Sequence, residues 1–156
     1  MSSIRKLMIE HMDRKLLLFA EAGRIEIPSK GWINGIRTTL NMTLEQLGKK
    51  LGITRQGARR IEISEASGTI SINLLKEAGK ALNMKFVYGF IPEDNSLDSM
   101  IEKRARKLAE MIVTRSSIQM NLEDQGVSEE SIKRSIDDMI YDYKREVPKI
   151  LWDLSE

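Results

Sequence analysis

The sequence predicts a mostly α-helical protein with one short strand, and three observations carry that prediction. Apolar residues recur at helical spacing through most of the 156-residue chain. Cap-forming residues, Thr43, Thr54, Ser71 and Ser128, stand directly in front of candidate helices. Residues 84–91 are instead rich in β-branched and aromatic side chains and stop at Pro92, the pattern of a strand.

The elements follow in chain order. Residues 2–20 place Ile4, Leu7, Met8, Leu16, Leu17 and Leu18 among charges and read as an N-terminal helix with a loosely periodic apolar side. Gly23 and Pro28 bracket an irregular connector over residues 22–31. Trp32, Ile33, Ile36 and Leu40 mark a short helix that ends near Asn41. Leu44, Leu47 and Leu51 form the next stripe, and Thr43 and Gln46 have the spacing of a capping box. Gly52 breaks that stripe as a left-handed turn residue would. Thr54 caps the following helix, which turns Ala58 and Ile61 inward. Two short helices joined by a three- to four-residue turn containing glycine make a helix-turn-helix. Gly48 faces the turn and is small enough to let the two helices cross closely.

From Ser71 a further helix runs to Leu82, with Ile72, Leu75, Ala78 and Leu82 on one face and Asn83 as a left-handed end. The strand over 84–91 needs a partner, either elsewhere in the chain or in a second subunit. A long helix over 97–121 keeps Ile101, Ala105, Leu108 and Ile112 in register and stops at Gln125-Gly126. Ser128, with Ser131 behind it, opens another helix, striped by Ile132, Ile136, Met139 and Tyr143. After Pro148, the terminal residues Ile150, Leu151, Trp152 and Leu154 need a surface to bury against. The domain organisation read from this pattern is an N-terminal helix and connector over 1–29, a helix-turn-helix domain over 30–91, and a helical dimerisation or partner region over 92–156.

Composition excludes several function classes. Without cysteine there is no disulfide framework, thiolate metal site or cysteine nucleophile, and a lone histidine, His11, makes no multi-histidine site. No nucleophile–base pair, glycine-rich phosphate loop or metal cluster is visible, so the expectation is a non-enzyme with no catalytic residue, metal or cofactor. Asp137-Asp138 and Glu129-Glu130 read as solvated helix surface. Trp32 and Trp152 read as core or dimer anchors, and most of the nine methionines as packing, with Met100, Met111 and Met120 as the alternative of an adaptable interface. No apolar run reaches the length of a signal peptide or membrane span, which predicts a cytoplasmic, nucleoid-associated protein without membrane contact. The net charge of +2 conceals an asymmetry. Residues 30–91 hold ten basic and four acidic side chains, whereas residues 92–156 hold ten basic and fifteen acidic. A basic middle and an acidic tail suggest a polyanion for the middle alone.

In a helix-turn-helix the second helix enters the major groove with its N-terminal part against base edges. That helix begins Thr54-Arg55-Gln56-Gly57-Ala58-Arg59-Arg60-Ile61. With Ala58 and Ile61 inward, Thr54, Arg55, Gln56, Arg59 and Arg60 are left to read bases, since arginine pairs with guanine and glutamine with adenine. Gly57, having no side chain, would let the helix lie close to DNA. Arg37, Thr43, Lys49 and Lys50 are candidates for phosphate contacts, as are Ser64, Ser67 and Thr69 of a polar loop over 64–69. One such motif covers few base pairs, so a homodimer on a palindromic operator in double-stranded DNA is expected. The helices over about 97–145 and the strand over 84–91 are the candidate dimer interfaces.

The stretch Met42-Thr-Leu-Glu-Gln-Leu-Gly-Lys-Lys-Leu-Gly-Ile-Thr-Arg-Gln-Gly-Ala-Arg-Arg-Ile-Glu62 resembles the phage-repressor-like (Xre/Cro-type) helix-turn-helix family. The resemblance implies a five-helix repressor-like DNA-binding core over roughly residues 30–83. Leu44 departs from the pattern, since many members carry glutamine there as a DNA contact. Asp13-Arg14-Lys15-Leu16, Gly31-Trp32-Ile33, Ser64-Glu65-Ala66, Gly68-Thr69-Ile70, Val87-Tyr88, Arg104-Ala105-Arg106 and Leu122-Glu123-Asp124-Gln125 resemble the subfamily called mobile mystery protein A. Members are typically encoded beside a Fic-domain protein, which implies an antitoxin-like or autoregulatory role and a Fic-domain partner. The Ser/Thr-x-x-x-Glu-Gly/Asn motif of some Fic antitoxins does not occur in the sequence. The resemblance therefore implies transcriptional repression by DNA binding, with direct neutralisation of a partner enzyme as the alternative.

Overall fold

The computed structural model describes residues 2–122 and 128–155. Among them the α-helices are α1 (Ser2–Leu17), α2 (Trp32–Thr39), α3 (Leu44–Leu51), α4 (Arg55–Ser67), α5 (Ile72–Ala81), α6 (Leu97–Leu122) and α7 (Glu129–Glu146). Short 3-10 turns cover Ala20–Arg24 and Lys149–Trp152. The fold is thus mostly α-helical, and among the described residues no helix is long and apolar enough to cross a membrane. The expected helix end at Gln125-Gly126 and residues Glu123 to Gln125 of the subfamily resemblance lie outside the described residues, as does the Met120 side chain. The chain forms two compact units, Arg24–Tyr88 and the combination of Met1–Gly23 with Gly89–Glu156. The N-terminal helix therefore belongs with the C-terminal helices instead of forming a segment of its own.

In the unit Arg24–Tyr88 each of α3, α4 and α5 starts where a side chain satisfies backbone donors that a helix leaves unpaired. The Gln46 amide donates to Thr43 Oγ1 at 3.1 Å and the Thr43 amide donates to Gln46 Oε1 at 2.9 Å, closing the capping box. Thr54 Oγ1 accepts from the Gly57 amide and Ser71 Oγ from the Leu74 amide, each at 3.1 Å. Gly52 (φ 69°) and Gly68 (φ 80°) end α3 and α4 in the left-handed conformation, where a Cβ is costly. Ile33, Leu47, Ala58, Ile61, Ala78 and Leu82 are buried together, with Ile36, Leu44, Leu51 and Leu75 packed around them. Leu44 is thereby a core residue. Trp32 is 41% exposed and stands outside that core.

The turn between α3 and α4 closes on Gly48. Its carbonyl accepts from the Ile53 amide at 2.8 Å, and a Cβ there would lie 2.8 Å from the Ile53 carbonyl oxygen and 3.0 Å from that of Thr54. Close crossing of the two helices requires glycine at this position.

Two expectations need correction here. Residues 30–83 hold four α-helices, α2 to α5, where the resemblance implies five. Residues 84–91 form no strand, and no strand occurs among the described residues. Asn83 turns the chain out of α5 at φ 57°, and the Met84 amide then donates to the Gly79 carbonyl at 2.7 Å. Beyond this point the Phe86 and Tyr88 rings stack with their centres 6.0 Å apart. The segment lacks a neighbouring ladder, and an unpaired segment is no strand however high its β-propensity.

In the other unit, α6 and α7 pack through Ile101, Ala105, Leu108, Ala109 and Ile140. Ile9 of α1 joins this cluster, as do the fully buried Leu151 and the partly buried Leu154, so these two terminal residues find their surface within the chain, whereas Ile150 and Trp152 stay about half exposed. Asp13 of α1 caps α6, its carboxylate accepting from the amides of Leu97 (2.7 Å) and Asp98 (3.2 Å). The Arg104 guanidinium lies 5.3 Å from the Trp152 ring centre and donates to the Leu151 carbonyl. Lys144 donates to Asp98 and Glu102, each at 3.2 Å. Burial opposes its charge, but these two hydrogen bonds and the attraction of both carboxylates outweigh it and raise the ammonium pKa above 10.5.

Three outcomes follow. Gly48→Ala is expected to lower stability by about 1–3 kcal/mol in denaturant unfolding, because backbone must move to admit the methyl group. Gly57→Ala is expected to be tolerated, since its Cβ meets only side-chain atoms, 3.3 Å or more away, and alanine favours helix. A pKa raised in the folded state gives stability that is complete below the ordinary lysine pKa and lost as pH rises through the folded value. The stability difference between the wild type and Lys144→Met should accordingly be constant near neutrality and shrink above pH 10.5.

Candidate nucleic-acid interface

Helical periodicity divides α4 into two faces. Ala58, Ile61 and Glu62 are buried and Glu65 is half-buried. Arg55, Gln56, Arg59, Arg60, Ile63, Ala66 and Ser67 are exposed. The outward face therefore holds three arginines and one glutamine, while both glutamates of the helix point into the unit.

The inward glutamates each have a defined task. Glu62 is 6% exposed and accepts from Arg37 Nε, from Arg37 Nη2 at 3.2 Å, and from Asn34 Nδ2 at 2.9 Å. Arg37 Nη1 also donates to the Met42 carbonyl at 2.7 Å, so the guanidinium joins α2, the α2–α3 connection and α4. Glu65 accepts from the amides of Trp32 and Ile33, both at 2.8 Å, and so caps the start of α2 from a distance. Gly31 (φ 86°) makes room for this cap, because a Cβ there would lie 2.8 Å from the Glu65 carboxyl group.

The base-reading set predicted from sequence is brought together on one helix. Arg55, Gln56, Arg59 and Arg60 are exposed along the first two turns of α4, and Thr54 stands at its N-terminus as the cap. Lys49 and Lys50 are exposed in the last turn of α3, and Thr43 caps that helix.

Other assignments change. Arg37 is no free phosphate contact: its side chain is 12% exposed and engaged with Glu62 and Met42. The expected loop over 64–69 is helical as far as Ser67. Ser64 Oγ donates to the Ile61 carbonyl at 2.7 Å, which removes that hydroxyl from the phosphate set. Ser67 and Thr69 are exposed at the end of α4, with their hydroxyls 3.1 Å apart. Gly57 faces Ile53 and the Thr54 hydroxyl, so its missing side chain gives no closer approach along the outward face.

Asn34, Glu62 and Glu65 are the residues that sequence reasoning missed. The signal for the glutamates was present. Glu62 and Glu65 stand four and seven residues after Ala58, which places them on its buried face. Opposite charge on Arg37 and Glu62 was compatible with pairing, but only the packing of α2 on α4 joins residues 25 positions apart.

No protein-family model matches the chain, and no curated protein or solved structure matches it.

Breaking the buried pair by Arg37→Met should leave an uncompensated carboxylate and cost about 3–5 kcal/mol in chemical unfolding. The double change Arg37→Met with Glu62→Leu should recover much of that loss. Additive single-variant losses would show that the pair contributes no coupling.

Proposed function

We propose that the chain is a sequence-specific DNA-binding transcriptional repressor, with α3 and α4 as a helix-turn-helix and α4 as the recognition helix. The observation that supports this most is the outward face of α4, where Arg55, Gln56, Arg59 and Arg60 are exposed while Glu62 and Glu65 are turned away. Acidic side chains on that face would repel phosphates, and their removal to the interior leaves donors for base edges and the duplex backbone. Lys49 and Lys50 supply phosphate contacts from α3. On this reading the middle unit is a four-helix variant of the repressor-like fold implied by the resemblance.

The repressor acts as a homodimer on a palindromic operator, because one recognition helix covers only part of the sequence that a repressor must distinguish. The resemblance adds autoregulation of an operon that also encodes a Fic-type toxin. The chain itself has no catalytic role in this scheme. A second reading, an interaction module that neutralises a partner enzyme directly, is favoured by one observation. Ile4, Leu7, Met8 and Met12 of α1 are all between 46% and 61% exposed, an apolar surface suited to protein contact.

Binding of the full-length protein to the DNA upstream of its own gene tests the first reading. Six phosphate contacts would make affinity fall about a thousandfold between 50 and 200 mM salt. Arg59→Ala should weaken specific binding by about 1–3 kcal/mol and relax discrimination at one base pair. Salt-insensitive or absent DNA binding, with a stable complex between the protein and its operon partner, would favour the second reading.

A further inference from the structure

The outward face of α4 contains one large apolar residue that the charge argument does not use. Ile63 is 55% exposed and lies nearly opposite the buried stripe of Ala58, Ile61, Glu62 and Glu65. A single exposed isoleucine is ordinary. Its surroundings are not.

Gln56, Arg59, Arg60 and Ile63 stand at i, i+3, i+4 and i+7, so they form one strip along the helix. A helix in the major groove can present four side chains at this spacing to base edges. The three polar members are suited to hydrogen-bonding edges, while the fourth can make only apolar contact. The major groove offers one apolar group for such contact, the C5 methyl of thymine. Beyond Ile63 the exposed residues are Ala66, Ser67 and Gly68, all small. No long side chain at this end of α4 would hold the duplex away from Ile63.

We propose that Ile63 is a specificity-determining residue that contacts a thymine methyl group in the operator. The inference rests on the DNA-binding reading of α4. Seven residues of helix span about 10 Å. At about 3.4 Å per base pair, the thymine lies about three base pairs from the one read by Gln56.

Operators are selected from random duplexes with the full-length protein, and again with Gln56→Ala to mark the base pair read by that residue. Each operator thymine is then replaced in turn by deoxyuridine, which differs only by lacking the methyl group. One thymine per half-site, about three base pairs from the Gln56 position, should show about a fourfold loss of affinity on replacement, the worth of one buried methyl. With Ile63→Ala the same replacement should cause no further loss. Because the side chain is exposed, Ile63→Ala should melt with the wild type and keep its oligomeric state. Equal losses in both proteins at every thymine, or no loss at any, overturn the assignment. So does an effect of Ile63→Ala that comes from an altered oligomeric state. If no duplex is enriched and no DNA is bound at low salt, the DNA-binding reading itself fails. That outcome is distinct from selection of an operator whose thymines do not couple to Ile63.

Discussion

The buried pair of Arg37 and Glu62 is the contact on which the middle unit depends. Two ions at this depth are stable only with good geometry and further hydrogen bonds. Both conditions are met here: Asn34 donates to the same carboxylate, and the guanidinium also serves the Met42 carbonyl. The pair joins α2 and the entry to α3 to the inner face of α4. Glu65, one turn further along, holds the first amides of α2. Two successive turns of α4 thus grip α2 on one side and expose arginines on the other. The negative charges that complete the interior are also those that the outward face lacks, so core electrostatics and surface electrostatics have a common cause.

A second constraint fixes the path between α3 and α4. Three backbone features converge within a few residues: Gly48 in contact with the turn, Gly52 in the left-handed region, and Thr54 capping α4. Each limits the angle at which α4 leaves α3, and together with the buried Leu47 and Ala58 they leave little room for an alternative. Such rigidity holds the outward side chains of α4 on an element whose direction is fixed. The three arginines are long and exposed, but the helix that carries them is held by core packing and by the ion pair.

The charge balance acquires a structural meaning from these contacts. A net charge of +2 conceals the basic balance of residues 30–91. Two of the four acidic residues in that span are drawn inward, so the excess of positive charge at the surface exceeds what the segment count suggests. Conversely, Arg37 must be removed from the surface set, because its charge is neutralised within the core.

Much of this organisation was legible in sequence because it rests on local rules. The capping box of Thr43 and Gln46, the caps at Thr54, Ser71 and Ser128, and the left-handed Gly52 and Asn83 each involve residues close together in the chain. Helical stripes likewise named Leu47, Ala58, Ile61 and Ala78 as interior. The sequence by itself determined where α3, α4 and α5 begin, where α3 and α5 end, and that α4 carries arginines and a glutamine on one face, whereas α4 runs on to Ser67 through residues expected to form a loop. What only the tertiary structure decided depends on contacts between distant residues. Residues 84–91 have the composition of a strand, but a strand exists only with a neighbour to pair with, and none is formed. Arg37 has the composition of a phosphate contact, but the packing of α2 on α4 brings it to Glu62. Local chemistry defines what a segment can do, and the partner that the fold places beside it decides which of those possibilities is realised.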